Sequence, residues 1–402
     1  MPTTSPQALA NRITQMEESA TLKMTQMARE LKAKGHDVIS LSIGEPDFDT
    51  PQHIKDAAIK ALNDGFTKYT PVPGLPQIRE AISTKFKRDN KLDYAPSQIV
   101  VSNGAKQSIA NLSLTLLDQG DEAIILAPYW VSYFEIIRLS GATPVPVLGG
   151  IETDFKVTAA ALEAAITDKT RMVLFSSPCN PTGSVYTHDE LEAIANVITK
   201  HKNIVIVSDE IYEYINFLDR HVSIGSFTQV KDQTVTVNGF SKGFAMTGWR
   251  LGYIGAPTWI ANACIKIQGQ FTSGATAFGQ MAGAHALLSD LGPTHKMRDA
   301  FLKRRDMVIG LLKEIPGMQV NHPQGAFYIF PNISAYFGKT AGGVTINNSD
   351  DFAEYILNEA HVAVVAGSAF GTDDCFRLSY AASEEQLREA VRRIGVAVGE
   401  MV

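Results

Sequence analysis

The sequence predicts an α/β protein with a mostly parallel sheet in its larger part and a smaller α+β part. From about residue 96 onward, short β-branched runs alternate with helical stretches, and apolar strands in such an alternation indicate a sheet covered on both faces. The chain has 402 residues, 45% hydrophobic and 19% charged, which is enough for two or three domains. Beyond about residue 318, strands and helices follow in a second block.

The elements that precede the sheet are predicted mainly as helices. A first helix is expected because Ile13, Met16, Leu22, Met27 and Leu31 recur at roughly helical spacing before a glycine at position 35. A short strand and two further helices follow it. The predicted bounds are residues 9–35 for the first helix, 37–44 for the strand, and 52–64 and 76–89 for the next two helices.

Seven strands are predicted for the larger sheet, and ligands of such sheets bind beyond the carboxyl ends of the strands. The predicted strands cover residues 98–102, 123–127, 143–147, 172–176, 204–208, 234–237 and 251–254. Helices are expected over 257–269, 276–289 and 293–315. The second block is expected to contain strands at 318–321, 326–330, 362–365 and 376–380, helices at 350–360 and from 383, and mobile surface loops at 341–343 and 367–374.

Composition excludes several classes of function. The net charge of −6 gives no basic field, so we predict no nucleic-acid partner. No stretch approaches the roughly 20 apolar residues that a membrane crossing needs, and the first residues lack a secretory signal pattern, so a cytoplasmic protein without membrane contact is expected. The three cysteines form no CxxC pair and the nine histidines no HExxH pattern, which predicts neither disulfides nor a catalytic metal.

Residues 235–252, VTVNGFSKGFAMTGWRLG, place a lysine and an arginine after a predicted strand. Lys242 stands in a turn of small residues, and Arg250 follows eight positions later. A lysine in a glycine-rich loop is usually a solvated side chain, so the lysine alone does not identify a site. A catalytic amine must be held where it can be neutral, and desolvation or nearby positive charge lowers a lysine pKa toward that state.

This segment resembles the lysine-attachment signature of the aspartate-type (class I) aminotransferases, enzymes of fold type I that use pyridoxal 5′-phosphate (PLP). The resemblance implies that Lys242 holds PLP as a Schiff base, that Ser241 contacts the cofactor and that Arg250 grips its phosphate. Matching segments run through nearly the whole chain and are jointly specific. They are GEPDFDTP from residue 44, KYTPVPG from 68, NGAKQ from 103, PYWVSY from 128, NPTG from 180, DEIY from 209 and RLSYA from 377.

The resemblance assigns further contacts to the phosphate of PLP. Gly104, Ala105 and Lys106 match the phosphate-binding turn of the family, the first two through backbone groups. The same stretch is predicted to form a strand, a glycine turn and the first turn of a helix. The free backbone N–H groups of such a helix turn favour the binding of an anion. It is not a Walker A loop, because GxxxxGK[ST] is absent. Tyr69 matches a tyrosine that reaches the phosphate in the neighbouring subunit, which implies a homodimer with shared active sites.

The remaining matches concern the cofactor ring and the substrate. Trp130 would stack on the pyridine ring, Asp209 would keep its nitrogen protonated, and Asn180 and Tyr212 would bond its phenolic oxygen. Arg377 would bind the α-carboxylate of an amino acid or 2-oxo acid substrate bidentately. The matches also place Gly44, through its backbone N–H, and the side chains of Trp130 and Asn180 against the substrate.

Each of these motifs has an ordinary interpretation when taken alone. GEPD is a common proline turn, NPTG is a common turn, aromatic residues after a strand are more often core, and an aspartate at a strand end is usually a helix cap. An arginine among apolar residues, as in FRLSY, either pairs internally or awaits an anionic ligand, because burying it unpaired is costly.

The resemblance implies a ping-pong transamination from L-aspartate to 2-oxoglutarate, with Lys242, Asp209 and Tyr212 as catalytic residues and Lys242 as the general base. A large PLP-binding domain is expected over residues 52–292, and a small domain over 1–51 and 293–402. Arg12 and Lys68 are the candidates for the cation that binds the substrate's second carboxylate.

Several alternatives to the aspartate reaction are open. The enzyme could accept aromatic amino acids or prephenate, although Glu17 and Glu18 replace the lysine-proline pair of some prephenate-using relatives. A PLP lyase or synthase of the same fold would share every cofactor residue. A nicotinamide oxidoreductase would need GxGxxG, which the turn at residues 103–105 lacks. An effector-binding domain of a regulator would usually carry a DNA-binding segment, and no basic helix-turn-helix is found.

Overall fold

The computed structural model describes residues 9–402, and its N-terminal segment differs from the expected single helix. The elements there are α1 (Asn11–Thr14), α2 (Ala20–Ala33) and β1 (Ile39–Ser40). The prediction of one helix over 9–35 is wrong, because Ser19 is extended at φ −60°, ψ 116° and starts a separate helix. Two residues counted in the helical spacing do not face a core: Ile13 is 47% exposed and Leu22 70% exposed.

The larger part of the chain alternates strands and helices as predicted. Its helices are α3 (Gln52–Asn63), α4 (Pro76–Lys85), α5 (Ala105–Leu116), α6 (Ser132–Leu139), α7 (Ala159–Ala165) and α8 (His188–Ile198). A π-helical turn over Phe86–Asn90 extends α4. Its strands are β2 (Ile99–Ser102), β3 (Glu122–Ala127), β4 (Thr143–Leu148), β5 (Thr170–Ser176), β6 (Val205–Asp209), β7 (Thr234–Gly239) and β8 (Gly252–Gly255).

These seven strands form one sheet in the order β2-β8-β7-β6-β5-β3-β4. Strands β3 to β7 pair in parallel, whereas β8 runs antiparallel to both of its neighbours, β2 and β7. The carboxyl ends of β2, β3, β5, β6 and β7 therefore meet at one edge of the sheet. This is the edge at which a ligand is expected. The mixed but mostly parallel sheet confirms the predicted fold class.

Apart from the edge strand β4, the strands are buried at nearly every position because both faces of the sheet are covered. Ile125, Leu174 and Val207 pack with α5, α6 and α9 (Thr258–Phe271) on one face. Their chain neighbours, Ile124, Val173 and Ile206, pack with α7 and α8 on the other. Successive side chains of a strand point to opposite faces, so two covered faces require a continuous apolar run.

The remaining elements complete the larger part and build a second, smaller one. They are α10 (Ala277–Leu288), α11 (Gly292–Lys313), β9 (Tyr328–Ile329), β10 (Thr340–Ala341), β11 (Val344–Thr345), α12 (Ser349–Glu359), β12 (Val362–Ala363), β13 (Val365–Ala366), β14 (Phe376–Ser379) and α13 (Glu384–Gly399). Strands β13, β14 and β9 form an antiparallel sheet, and β1 pairs with β12 in parallel. One apolar cluster joins α2 and β1 to these elements, so the N-terminal segment packs with the C-terminal part.

Two expectations for the C-terminal part are wrong. The strand predicted at 318–321 is reduced to an isolated bridge between Gln319 and Asn332. Residues 367–374 were expected at the surface, but Gly367 to Phe370 form a short 3₁₀ helix. Phe370 is fully buried and its carbonyl accepts a hydrogen bond from the backbone N–H of Tyr129. The segment is therefore a packed contact between the two parts of the molecule.

Candidate active site

A cavity of about 380 Å³ lies at the carboxyl edge of the large sheet. Residues from the ends of β2, β3, β5, β6 and β7 form one side of it. The other side is closed by Ser19, Thr21, Leu22 and residues 43–45, together with Tyr328 and Arg377. The cavity therefore lies between the large sheet and the smaller C-terminal part, with the N-terminal segment over it.

The cavity brings together eleven of the predicted site residues, which are far apart in the chain. They are Gly44, Ala105, Lys106, Trp130, Asn180, Asp209, Tyr212, Ser241, Lys242, Arg250 and Arg377. Gly104 directly adjoins this group, because a side chain there would meet Arg250. Tyr69 is 99% exposed and lies outside the cavity. Arg12 and Lys68, although both are among the residues that the structure describes, do not line it either.

Lys242 follows the end of β7 and points into this cavity. Its Nζ donates a hydrogen bond to the backbone carbonyl of Gly44, and it lies 5.8 Å from the ring centre of Tyr212. Burial, followed by the positive charge of Arg377, lowers the pKa of Lys242 to about 8. The amine is therefore much closer to its neutral, nucleophilic form than a solvated lysine is.

Between the end of β2 and the start of α5, the backbone of residues 104–106 and the guanidinium of Arg250 form a site suited to an anion, here called the anion cradle. The backbone N–H groups of Ala105 and Lys106 open the helix, where no carbonyl of the preceding turn can accept from them. Gly104 has φ +85°, and a Cβ atom there would lie 2.4 Å from Nη2 of Arg250. A Cβ atom at Gly252 would lie 2.1 Å from the backbone nitrogen of Ala105. Because neither glycine has a side chain, the first turn of α5 and the guanidinium of Arg250 can both lie close to the same point.

Asp209 ends β6 and is buried beneath the cavity. Its Oδ2 accepts a hydrogen bond from the hydroxyl of Tyr133 at 2.7 Å, and its Oδ1 accepts from the backbone N–H of Ile211 at 3.2 Å. Burial raises the pKa of Asp209 to about 6. A cationic partner at this position would restore the charged carboxylate, since an opposite charge lowers a carboxyl pKa.

Arg377 lies on β14, is buried and has no ion-pair partner among residues 9–402. Its Nη1 donates to Oδ1 of Asn180 at 3.0 Å, its Nη2 donates to the carbonyl of Ser42, and its Nε has no hydrogen-bond partner in the described structure. Burial lowers the pKa of Arg377. A buried guanidinium without a carboxylate is costly, so this cavity favours an anionic ligand.

Sequence reasoning missed part of the cavity lining. Tyr133 stands three positions after Trp130 in PYWVSY, and this one-turn spacing was the signal that could have indicated it. Glu45 lies in the GEPDFDTP segment but was given no role of its own. Other missed residues reach the cavity through the fold, among them Ser19, Thr21, Leu22 and Tyr328.

One group of potential metal ligands is found in the described part of the chain. Glu210, Glu213 and His221 place ligand atoms within 4.8 Å of one another. Glu213 forms a buried ion pair with Lys85, and Nε2 of His221 lies 2.9 Å from Oε2 of Glu210. Protein side chains therefore already contact these carboxylates, and the expectation of no catalytic metal stays a prediction.

The arrangement fits PLP. The cradle at the start of α5 suits a phosphate, the buried Asp209 suits a cationic ring nitrogen, and Lys242 offers an amine in the same cavity. Trp130 lines the cavity close to this cradle, with Nζ of Lys106 4.9 Å from its ring centre. No helix within residues 9–402 has the length and apolar character required to cross a membrane.

Comparison with known proteins gives a family match over most of the chain. The model of the family described as aminotransferase class I and II matches residues 36–394. A probable aspartate/prephenate aminotransferase of Rhizobium leguminosarum bv. phaseoli is 48% identical over 391 residues, 96% of this chain and 97% of the relative. An aspartate aminotransferase of Geobacillus stearothermophilus is also 48% identical, over 96% of this chain and 98% of the relative.

Solved structures lead to the same family. The crystal structure of an aspartate aminotransferase from Rhizobium meliloti aligns with a TM-score of 0.95 at 41% identity and covers 98% of this chain and 99% of that one. The Thermus thermophilus aspartate aminotransferase with maleate aligns with a TM-score of 0.91 at 39% identity, over 97% and 99% of the two chains. This chain therefore belongs to the class I and II aminotransferases, and it is a PLP-dependent enzyme of that family.

Proposed function

We propose that this enzyme is an aspartate aminotransferase, which transfers the amino group of L-aspartate to 2-oxoglutarate by a ping-pong mechanism. The observation that carries this proposal is a pair of cations, Arg377 and Lys106, lining one cavity. Aspartate and 2-oxoglutarate each carry two carboxylates. The names of the relatives support this choice, as does the Thermus thermophilus structure with maleate, which is a dicarboxylate.

Lys106 replaces Arg12 and Lys68 as the candidate for the second carboxylate. It lines the cavity, whereas the two earlier candidates do not. Its Nζ lies 4.9 Å from the ring centre of Trp130. Burial, followed by the charge of Arg250, lowers its pKa, and an anionic ligand nearby would favour the charged ammonium again. In this proposal the backbone of Lys106 binds the phosphate of PLP, and its side chain binds the second carboxylate of the substrate.

The other residues divide the remaining tasks in this proposal. PLP, when bound, supplies a ring that takes up the electrons of the substrate's α-carbon. Lys242 holds the cofactor and then moves the proton of the α-carbon, for which its pKa of about 8 is suited. Asp209 maintains a positive charge on the ring nitrogen, and Arg377 orients the α-carboxylate.

The contacts around the ring and the substrate complete the proposed site. Tyr212 and Asn180 donate hydrogen bonds at the phenolic oxygen of the ring, and Trp130 covers one ring face. Gly44 offers its backbone N–H to the substrate carboxylate, and Ser241 contacts the phosphate beside Arg250. All of these residues line the cavity, which supports the assignment.

We further propose a homodimer with shared active sites. Tyr69 is fully exposed in one chain and Phe271, at the end of α9, is 63% exposed. The segments that carry them are in contact, because the side chain of Gln268 on α9 donates to the carbonyl of Val72 at 2.8 Å. Exposed aromatic residues grouped in this way favour a protein interface. In the dimer, Tyr69 would reach the phosphate in the partner's cavity.

The division into a large domain over 52–292 and a small domain over 1–51 and 293–402 is also proposed. The cluster that joins α2, β1 and the C-terminal elements supports it for the described residues. Cytoplasmic localisation stays a prediction.

Product analysis tests the proposed reaction. With L-aspartate and 2-oxoglutarate, the purified enzyme should form oxaloacetate and glutamate in equal amounts and should stop after one turnover without the oxo acid. Continued product formation without an oxo acid would instead support a lyase. Because several relatives are named aspartate/prephenate aminotransferases, prephenate should be tested in place of 2-oxoglutarate. Comparable turnover with prephenate would establish the broader specificity.

A further inference from the structure

Tyr328 on β9 contacts three residues of the proposed site, although no motif indicated it. The side chain is almost completely buried and still lines the cavity. Its hydroxyl faces Tyr212 and Gly44, and its ring faces Arg377. Tyr328 therefore connects the part of the site expected at the cofactor ring to the part expected at the substrate carboxylate.

The hydroxyl of Tyr328 forms a hydrogen bond with the hydroxyl of Tyr212 at 2.8 Å. Each phenol has one proton, so one of the two must donate and the other accept. If Tyr328 donates, the proton of Tyr212 stays available for a bond into the cavity, and the chain of two bonds polarises Tyr212 into a stronger donor. With Tyr328 as the donor, the buried pair leaves the Tyr212 proton free for a ligand oxygen.

The same hydroxyl explains why position 44 is a glycine. A Cβ atom at Gly44 would lie 2.1 Å from the Tyr328 hydroxyl oxygen. Any side chain there would displace Tyr328 from Tyr212 or move the backbone of Gly44, whose carbonyl accepts from Lys242. The tyrosine and the glycine therefore fit each other.

The ring of Tyr328 acts on a different group. The guanidinium carbon of Arg377 lies 4.6 Å from the ring centre of Tyr328 and 4.9 Å from that of Phe370. Two aromatic rings therefore contact the guanidinium, in addition to its hydrogen bonds to Asn180 and Ser42. Cation–π contacts of this kind are stronger when desolvated, and Arg377 is 2% exposed.

We propose that Tyr328 is a positioning residue with two separable contributions to the reaction. Its hydroxyl orients the phenol of Tyr212 toward the ring oxygen of PLP, and its ring holds Arg377 in the orientation that binds the substrate carboxylate. This inference rests on the proposed roles of Tyr212 and Arg377. It adds a residue that acts through both of them without touching the reacting atoms.

Two substitutions separate the contributions. Tyr328→Phe removes the hydroxyl and keeps the ring, whereas Tyr328→Leu removes both. Tyr380→Phe is the matched control, because Tyr380 is also fully buried and its hydroxyl donates to the carbonyl of Ala326 at 3.0 Å, away from the cavity lining. For each PLP-loaded variant, we would measure the pKa of the absorbance change of bound PLP, the affinity for succinate as an unreactive dicarboxylate, the steady-state constants and the unfolding midpoint.

In Tyr328→Phe, the spectroscopic pKa should rise relative to wild type, because a weaker donor at Tyr212 stabilises the ring oxygen's negative charge less. Turnover number should fall by about two- to tenfold, as expected for loss of one hydrogen bond, while the succinate dissociation constant stays within about twofold. In Tyr328→Leu, the succinate dissociation constant should additionally rise by about tenfold. Tyr380→Phe should leave the spectroscopic pKa, the succinate affinity and turnover at wild-type values.

The inference would be overturned by a Tyr328→Phe enzyme whose spectroscopic pKa and turnover number match those of the control. Equal losses of succinate affinity in Tyr328→Phe and Tyr328→Leu would also contradict it, because they would indicate one general packing effect. If Tyr328→Leu does not fold, the Tyr328→Phe result decides. A wild-type enzyme that binds no PLP would instead reject the proposed function on which the inference rests.

Discussion

At the residue scale, burial brings two groups of the candidate site close to their neutral forms at neutral pH. The pKa of Asp209 rises to about 6 and that of Lys242 falls to about 8, and burial is the leading cause of both shifts. Each shift is also a cost in stability for the protein without its cofactor, because a charge is disfavoured in the folded state. The cofactor's ring nitrogen would supply the missing opposite charge at Asp209.

Replacing Lys242 should therefore stabilise the PLP-free protein. Because the folded-state pKa lies below the unfolded-state value, the destabilisation is fully present below about pH 8 and is lost as pH rises toward the unfolded value. Near neutral pH, Lys242→Met should raise the free energy of unfolding by up to about 3 kcal/mol. Denaturant titrations at about pH 7 and about pH 10 should show this gain shrinking at the higher pH.

Lys68→Met is the control for this comparison, since Lys68 is exposed and its replacement should change stability little at either pH. If Lys242→Met does not raise the free energy of unfolding at neutral pH, or raises it more at high pH, the amine is not desolvated as described.

The second-carboxylate assignment gives another substitution test. Lys106→Met keeps the backbone of the phosphate cradle and removes the ammonium group. It should lower kcat/KM for L-aspartate by about tenfold or more, the size expected for a charge-assisted hydrogen bond, and lower it less for L-alanine, which has no second carboxylate. Steady-state assays with both amino acids measure this difference. Equal losses for the two substrates would remove Lys106 from the carboxylate role, and Lys68→Met should have no effect on either.

How far individual residues could be predicted depended on whether they belong to a motif. Lys242, Asp209 and Arg377 stand in recognisable segments, and the fold brings them into one cavity as expected. Tyr328 contacts Tyr212 from 116 positions away in sequence. Such a neighbour is set by the packing of two distant segments, which no local pattern encodes. The individual roles of all these residues stay proposals.

At the element scale, the β2–turn–α5 unit shows how a single glycine couples two binding groups. Gly104 needs both its positive φ and its lack of a side chain, since Arg250 occupies the space that a Cβ atom would take. Gly104→Ala should therefore displace the guanidinium and raise the PLP dissociation constant by about tenfold or more, because a charged phosphate contact is lost. Titration of the PLP-free protein with PLP measures this.

Gly65→Ala is a control for placing a non-glycine residue at positive φ. Gly65 has the same φ of +85°, but no neighbouring atom lies within 4 Å of the position that a Cβ atom would take. Both variants place a non-glycine residue at positive φ; at Gly104, where ψ is 158°, the backbone cost is about 1–3 kcal/mol because that region is essentially restricted to glycine. Gly65→Ala should bind PLP as the wild type does. Equal weakening of PLP binding in the two variants would show that backbone strain, rather than displacement of Arg250, causes the effect.

The elements themselves were predictable where burial is uniform. All seven strands of the large sheet were predicted to within two residues at each end. Six of them are buried at nearly every position because both faces are covered, whereas the edge strand β4 is only partly buried. The helix expected over 9–35 fails for the opposite reason. Ser19, Thr21 and Leu22, in the middle of this range, line a cavity rather than a core, so the apolar spacing there carries no information about helix continuity.

At the scale of the whole molecule, the proposed dimer predicts that each active site uses two chains. We expect Lys242→Ala and Tyr69→Ala homodimers to have strongly reduced activity. Mixed dimers should recover activity, because one site then combines an intact Lys242 with an intact Tyr69 from the partner. The measurement is activity after co-refolding or subunit exchange of the two variants. A mixture no more active than its components would show that Tyr69 does not act across an interface.

The most direct test of the central claim is the absorption spectrum of the PLP-loaded enzyme during one half-reaction. L-aspartate, L-phenylalanine and L-alanine are added separately, without an oxo acid, to the wild type and to Lys242→Ala. We predict that aspartate converts the band of bound PLP to that of pyridoxamine phosphate fastest in the wild type, and that Lys242→Ala lacks this conversion. Wild-type conversion rates in Lys242→Ala would contradict the assignment of the lysine, and faster conversion by phenylalanine or alanine would contradict aspartate as the substrate.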